Sequence, residues 1–486
     1  MDGEQLKQDV RDGRISPERL VELIVTLQRQ LAQANQRIEE LEKQITGGPT
    51  AKLDQPYSMK AEEKRQAARG KKQKKKRKST RRGRLSTADK LALAQREEDV
   101  FPEGLDPQQC KLSHSRPVWR LEDGRAVLVA YHIFRGGRNQ FGKIPGALGR
   151  SEFGVEIVIA IAYQVYILGL SFDKVCAVMS FFQGLKLSKS QADTLLHRLA
   201  RQWEEEFETL CTLLANSAVV HADETSWSIN SVWAFLSEQV RVLLFGVHKD
   251  GATLQAVLDP ATFAGVVVSD DAAVYANFSK AQKCWAHLIR KAIKLTLQDP
   301  DNAEYRSFAD GLLSLYRKAC RIKRDGRLGQ AGRERKVAEL DDELLELCAG
   351  RWLDETPTPG EIENTYRCLA HELMRLMLAQ ELFTFVLQAE VDGTNNEAER
   401  ELRSAAQARK TGRTNKTRRG ARRQSILHSV LESLRKQLPK FTLETVVAEV
   451  LRWSAVGRSC FTELLQKLGL ELPENSVLDA VLPQPP

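Results

Sequence analysis

Residues Val219–Trp227 read VVHADETSW, an apolar run that gives way to Asp223 and Glu224, and Val266–Asp271, VVVSDD, repeats the pattern with Asp270. Aspartate is disfavoured in strands, and a carboxylate near a low dielectric costs free energy unless a cation or a donor compensates it. Two aspartates on neighbouring strand ends suit Mg²⁺, which takes a few carboxylate oxygens and leaves its other positions to water and phosphate oxygens. One such residue alone would equally start a turn or cap a helix. The pair points to metal binding or catalysis.

A third acid, Glu399, lies in VDGTNNEAERELRSAAQARKTGRTNKTRRGARRQS. Asn396 to Glu399 has capping-box spacing, N-x-x-E, which explains Glu399 structurally if it is taken alone. Yet Arg400, Arg403, Arg409, Lys410, Arg413, Lys416, Arg418, Arg419, Arg422 and Arg423 follow at once. A carboxylate at the mouth of so basic a stretch suits a site that accepts a phosphodiester.

The elements that would position these acids follow from period. SAVVHAD, SVWAFLSEQVRVLLFGV, ATLQAVL and FAGVVVSDD, within 217–275, read as four strands of a mixed sheet. Before them, 151–215 is helical in pattern: Gly184 ends one helix, and Ser188 caps another whose exposed face carries Lys189, Gln191 and His197. That pair is either a DNA-reading helix-turn-helix or a plain helical hairpin. In 100–150, VWRLEDGRAVLVAYHIFRGG predicts a hairpin turning at Asp123-Gly124. Cys110, His114 and His132 lie nearby without the paired spacing of a zinc site.

Nearer the N-terminus, Leu20, Ile24, Leu27, Leu31, Ala34, Ile38, Leu41 and Ile45 alternate spacings of four and three. That is a coiled-coil seam, which implies oligomerisation, or an amphipathic helix packed within the chain. GKKQKKKRKSTRRGR, Gly70–Arg84, has ten Lys or Arg and no acid or apolar residue. It is expected to be disordered when free and to bind phosphate backbones through Lys71, Lys72, Lys74, Lys75, Lys76, Arg77 and Lys78 without reading sequence. A solubilising linker would have the same composition.

Composition agrees with a globular protein carrying solvated extras: 42% hydrophobic and 28% charged over 486 residues, enough for a sizeable core. A net charge of +9 favours a polyanionic partner. No apolar run approaches the roughly 20 residues of a membrane span, and MDGEQLKQDV is too polar for a signal peptide, so an intracellular protein without a membrane partner is expected. Eight cysteines, scattered singly with no CxxC pair, argue against a disulfide framework and a four-cysteine zinc module.

The order HADETSW, VVVSDDAAVY, CWAHLIRK and GTNNEAERELRSAAQARKTGR resembles the insertion sequence 66 family of bacterial transposases, and the resemblance covers most of the chain. It implies an RNase H-like α/β core with a triad of Asp223, Asp270 and Glu399, all three both catalytic and metal-binding. Asp271 and Glu397 stand beside two of these; Asp270 directly follows its strand and Glu399 directly precedes Arg400. The resemblance implies two Mg²⁺ ions, with Mn²⁺ able to substitute, and phosphate contacts from His287 and Arg290 of the CWAH segment. Many members carry a cysteine-rich zinc segment before the helical region, where this chain has only Cys110, so zinc is not expected.

The resulting expectation is an α+β multidomain protein. Its parts are a coiled coil (1–48), a basic disordered linker (49–99), a small β-containing segment (100–150) and a helical DNA-binding region (151–215). The catalytic core (216–287) follows, then a helical insertion (288–391), the glutamate-bearing helix with its basic stretch (392–436), and a C-terminal helical region (437–486). The implied function is that of a bacterial, nucleoid-associated transposase in the cytoplasm. It would bind the double-stranded terminal inverted repeats of its element and target DNA as a homo-oligomer, with or without accessory proteins, cleave 3′ ends and transfer strands. The rival is a DNA-binding protein or inactive transposase relative without catalysis.

Overall fold

The computed structural model describes residues 85–228, 230–352, 361–415, 417–473 and 475–483. The coiled-coil seam and the basic run Lys71–Lys78 lie outside them. Ordered elements begin inside the segment assigned to the linker, with α1 (Thr87–Ala92) and β1 (Arg96–Val100). β2 (Lys111–Glu122) and β3 (Arg125–Arg135) form the expected hairpin, and β1 adds in parallel to β3. Asp123 and Gly124, at φ 46° and 75°, supply the left-handed backbone that a two-residue turn between twisted strands requires. His132 is held there by Ser115 Oγ at 2.7 Å rather than by Cys110 or His114.

Four helices follow: α2 (Val155–Ala162), α3 (Phe172–Phe182), α4 (Lys189–Gln202) and α5 (Glu204–Ala215). Ser188 caps α4 with a reciprocal bond from Gln191, and Gly184 turns the chain at φ 70°. Lys189 and Gln191 lie on the exposed face expected of α4, and His197 does not. Lys189 pairs with Asp173 at 2.9 Å, and His197 is half-buried between Asp193 and Arg423. These helices share one continuous core with the next sheet, joining Leu196, Leu199, Phe207 and Leu214 to Val220, Trp233 and Leu244.

That sheet comprises β4 (Val219–Ser226), β5 (Ser231–Leu236), β6 (Arg241–Val247), β7 (Val266–Ser269) and β8 (Ala281–Lys283), in the order β6-β5-β4-β7-β8. Only β5 runs against its neighbours. SVWAFLSEQVRVLLFGV is thus two strands, and β8 was not anticipated. ATLQAVL, expected as a strand, is instead part of helix α6 (Gly251–Val257). The Asp250 side chain accepts from the Thr253 N–H and starts the helix, so local capping overrides the apolar run.

Between β8 and the glutamate-bearing helix comes a helical insertion: α7 (Trp285–Gln298), α8 (Ala303–Arg324), α9 (Gln330–Trp352), α10 (Glu361–Leu378) and the single turn α11 (Thr384–Leu387). Its own core, with Phe308, Leu344 and Leu373, is continuous with Val266 and Val268 of β7. Then follow α12 (Asn396–Lys410), α13 (Arg418–Gln437), α14 (Leu443–Val456), α15 (Cys460–Lys467) and α16 (Val477–Val481). α12 covers the second face of the sheet, packing Ala398, Leu402 and Ala405 on Val232, Ala234 and Leu243.

Strand β6 is an edge, and its outward N–H groups need acceptors. Helix α13 supplies them from serines four residues apart. Ser433, Ser429 and Ser425 Oγ accept from Arg241, Leu243 and Phe245 N–H at 2.9, 2.8 and 3.0 Å. Four residues of helix rise about 6.0 Å and two of strand about 6.8 Å, so the rows stay in register over three pairs. Ser429→Ala is expected to orphan the buried Leu243 N–H and cost about 1–3 kcal/mol in urea unfolding; a loss below about 0.5 kcal/mol would show that this edge is held otherwise.

Candidate active site

β4 and β7 are parallel neighbours whose last paired residues are His221 and Val268. Two positions beyond that last pair stand Asp223 and Asp270, so the parallel register brings both residues to the same end of neighbouring strands. The expected geometry needs one correction: β4 does not stop at Asp223 but runs on to Ser226, while β7 ends at Ser269. Asp223 therefore lies within a strand whose β7-side edge has just become free. Side-chain alternation sends Val220 and Ala222 into the larger core and Asp223 to the face that α12 covers.

Glu399 arrives from α12, but not through the capping box expected of Asn396. The helix N-cap is Asn395, without a side-chain cap, and the Glu399 N–H makes a first-turn bond to its carbonyl at 3.1 Å. The Asn395 side chain is fully buried and ties the helix to the sheet. Its Nδ2 donates to the Ala222 carbonyl at 2.8 Å, and its Oδ1 lies 3.2 Å from His221 Nδ1. Its backbone N–H donates to Cys284 Sγ at 3.1 Å, and Cys284 N–H donates to Ser269 O at 2.9 Å. One asparagine and one thiol thus join both aspartate-bearing strands to the glutamate-bearing helix. Sequence reasoning missed Asn395 because TNNE offers two asparagines and local spacing favours the second.

Asp223, Asp270 and Glu399 face one open cleft of about 380 Å³, lined also by Glu224, Thr225, Lys249, His287 and Arg403. A larger cavity of about 800 Å³, reaching Lys410 and Arg413, holds none of the three acids. Burial, Glu224, Asp270 and Glu399 push the Asp223 carboxyl up to about 7. Its one hydrogen bond among the described residues comes from the adjacent Glu224 N–H at 2.9 Å, and Asp270 likewise accepts from Ala272 N–H at 3.1 Å. Among the described residues neither aspartate is ion-paired with a cationic side chain, whereas the competing acids are: Asp271 with Arg375 and Glu397 with Arg241. Among the described residues Asp223 and Asp270 are the acids left to a cation from outside; with Glu399 they line one cleft with oxygen donors of the kind a hard divalent ion takes, though the three do not close to within 4.8 Å of one another.

From the CWAH segment, Arg290 Nη2 lies 2.5 Å from Glu399 Oε1, and His287 Nδ1 lies 3.6 Å from the same oxygen. Burial and Arg290 hold the His287 imidazole below its usual range. Glu224, not assigned to the site from the sequence, also lines the cleft; Tyr275 Oη donates to it at 2.5 Å and Lys249 pairs with it.

The basic stretch divides. Arg403 lines the cleft, and Arg400 is exposed on α12. Arg409 binds the Ser226 carbonyl at 2.8 Å, Arg413 binds that of Gly169 at 2.7 Å, and Lys410 lines the larger cavity. Arg422 and Arg423, read as part of the same basic surface, are buried: Arg422 reaches Asp479 and Glu204, and Arg423 reaches Tyr166 and Asp193. They hold helices together because the inner face of α13 turns them toward acids from α4, α5 and α16.

Three acids from two neighbouring strands and a helix start thus line one open cleft. The Transposase IS66 family model matches residues 150–423, more than half of the chain, and the chain belongs to that family. The match contains the three acids, the CWAH segment and the helical insertion. A search of curated proteins found no match. Among the described residues no helix is long and apolar enough to cross a membrane.

Proposed function

We propose that this transposase moves a bacterial insertion sequence, binding its terminal inverted repeats and carrying out Mg²⁺-dependent 3′-end cleavage and strand transfer through Asp223, Asp270 and Glu399. The observation that carries the reading is that these three acids line one cleft and that, among the described residues, neither aspartate is ion-paired. The strand order β6-β5-β4-β7-β8 with only β5 reversed, and a helical insertion before the glutamate-bearing helix, support an RNase H-like catalytic core.

Asp223, Asp270 and Glu399 would hold the metal. When bound, two divalent ions lower the pKa of the attacking hydroxyl and stabilise the leaving oxygen. Asp223 gives up its proton as the charge of the site is met, and Arg290, half-exposed, is free to leave Glu399 for a phosphate oxygen. Arg403 and Lys249 at the rim neutralise the approaching backbone. Water attacks the phosphorus at the element end and releases a 3′-hydroxyl; that hydroxyl then attacks a target phosphorus and displaces a target 3′-oxygen. Each joining makes one phosphodiester and breaks one, so no external energy source is needed. Joining two ends in one event calls for an oligomer, which the coiled-coil seam would provide.

Excision and joining of a marked element, bounded by the gene's own flanking DNA, in cells expressing the wild-type protein is the direct test. Binding of those ends without any cleavage by purified protein in Mg²⁺ or Mn²⁺ would favour a DNA-binding relative without catalysis. Arg403→Ala is expected to weaken end binding uniformly across sequences and to reduce the slope of log K against log salt by about 1, as read by fluorescence anisotropy.

A further inference from the structure

Behind the catalytic cleft, Glu401 of α12 meets His428 and Glu432 of α13, with one ligand atom from each lying within 4.8 Å of the others. None of the three lines the cleft of the triad. His428 and Glu432 are four residues apart and so share a helix face. The imidazole is stacked on Phe245, with ring centres 5.4 Å apart and planes at 21°, which fixes its orientation. His428 is only 4% exposed, and its Nδ1 is buried with no hydrogen-bond partner. Buried imidazole nitrogens ordinarily find a partner, and an orphan beside two carboxylates marks a missing ligand.

We propose that Glu401, His428 and Glu432 bind one divalent transition-metal ion of the zinc or manganese class, clamping the Glu399-bearing helix to the helix that seals the β6 edge. One imidazole nitrogen and two carboxylate oxygens suit zinc, manganese or cobalt better than magnesium, which prefers oxygen alone. Burial holds His428 down to about 4, so at neutral pH its ring is uncharged and a nitrogen lone pair is available. Burial and Glu401 push Glu432 up to about 7, and a cation would take the place of that proton. Of the neighbouring cations, Arg241 binds Glu397, whereas Arg435 lies 3.4 Å from Glu432, so a bound ion would share that carboxylate with the guanidinium. The clamp would set the position of Glu399, two residues before Glu401, without touching substrate.

The experiment is bound-metal analysis of the full-length protein after gel filtration, then refilling of metal-stripped protein with Co²⁺ and reading of its visible absorption. The wild type and Glu399→Gln are expected to retain about one ion per chain. Glu399→Gln disables both the catalytic triad and the neighbouring Cys284, His287 and Glu399 group. His428→Ala and Glu432→Gln are expected to lose at least nine-tenths of the cobalt signal, with circular dichroism melts as the folding control. Glu432→Gln keeps the side-chain shape and decides the matter if His428→Ala does not fold. No retained ion in the wild type would leave a proton shared by Glu401 and Glu432 and overturn the proposal. Loss of the ion in Glu399→Gln would assign it to the catalytic side and overturn it equally.

Discussion

Asp223→Asn is expected to reduce end cleavage and strand transfer by at least about a thousandfold while DNA affinity stays within a few fold. The substitution keeps the volume and the bond from the Glu224 N–H, and removes the negative oxygen that a divalent ion requires. The same variant should be more stable than the wild type when both are metal-free at pH 8. Asp223 titrates at about 7 in the fold against 3.8 for the free side chain. Between those values the folded protein holds a proton that the unfolded chain releases. Its contribution is therefore fully present below about pH 4 and is lost as the pH rises through about 7.

The loss is roughly 4 kcal/mol, and relieving it should raise the melting temperature by about 5 °C in a domain of this size. Added Mg²⁺ or Mn²⁺ should stabilise the wild type and leave Asp223→Asn almost unmoved. Cleavage assays and paired melts with and without metal test both halves. Cleavage at the wild-type rate in the variant would remove Asp223 from the mechanism.

Asn395→Ala should be nearly as damaging to activity, though the residue holds no metal. It removes the bond to the Ala222 carbonyl and the contact with His221, both at fully or largely buried positions. The expected cost is about 2–3 kcal/mol of stability, since a buried carbonyl and an imidazole both lose a partner. Released from β4, the start of α12 can shift by a fraction of an ångström, and second-layer losses of this kind typically weaken metal binding by about 10–100-fold. The distinguishing readout is metal dependence: the apparent Mg²⁺ requirement should rise and saturating metal should restore part of the rate. A variant destabilised to the same extent but with an unchanged metal requirement would show that Asn395 serves the fold alone.

Much of the site was legible because it is written in local patterns. Apolar runs that end in Asp223 and Asp270 declare strands and acids together, and the Asp123-Gly124 turn and the Ser188 cap follow from backbone sterics within a few residues. Where local signals competed, nearby residues misled. The strand-like ATLQAVL yielded to an Asp250 cap, and Asn396 lost the helix start to Asn395, whose side chain is taken by β4.

Which acids could serve a metal was decided elsewhere in the chain. Arg375 neutralises Asp271 across 104 residues and Arg241 neutralises Glu397 across 156, leaving Asp223 and Asp270 without an ion pair among the described residues. The burial of Arg422 and Arg423, and the serine row that seals β6, depend likewise on which helix face meets which element. By itself the sequence determined the family, the hairpin at Asp123-Gly124 and the apolar runs that precede Asp223 and Asp270, because period, capping and motif are properties of short segments. Only the tertiary structure decided which charges are already paired and which asparagine fixes the glutamate-bearing helix. Coulombic and hydrogen-bond partners are chosen by distance in space, and distance in space between remote segments exists only once the sheet and its covering helices have packed.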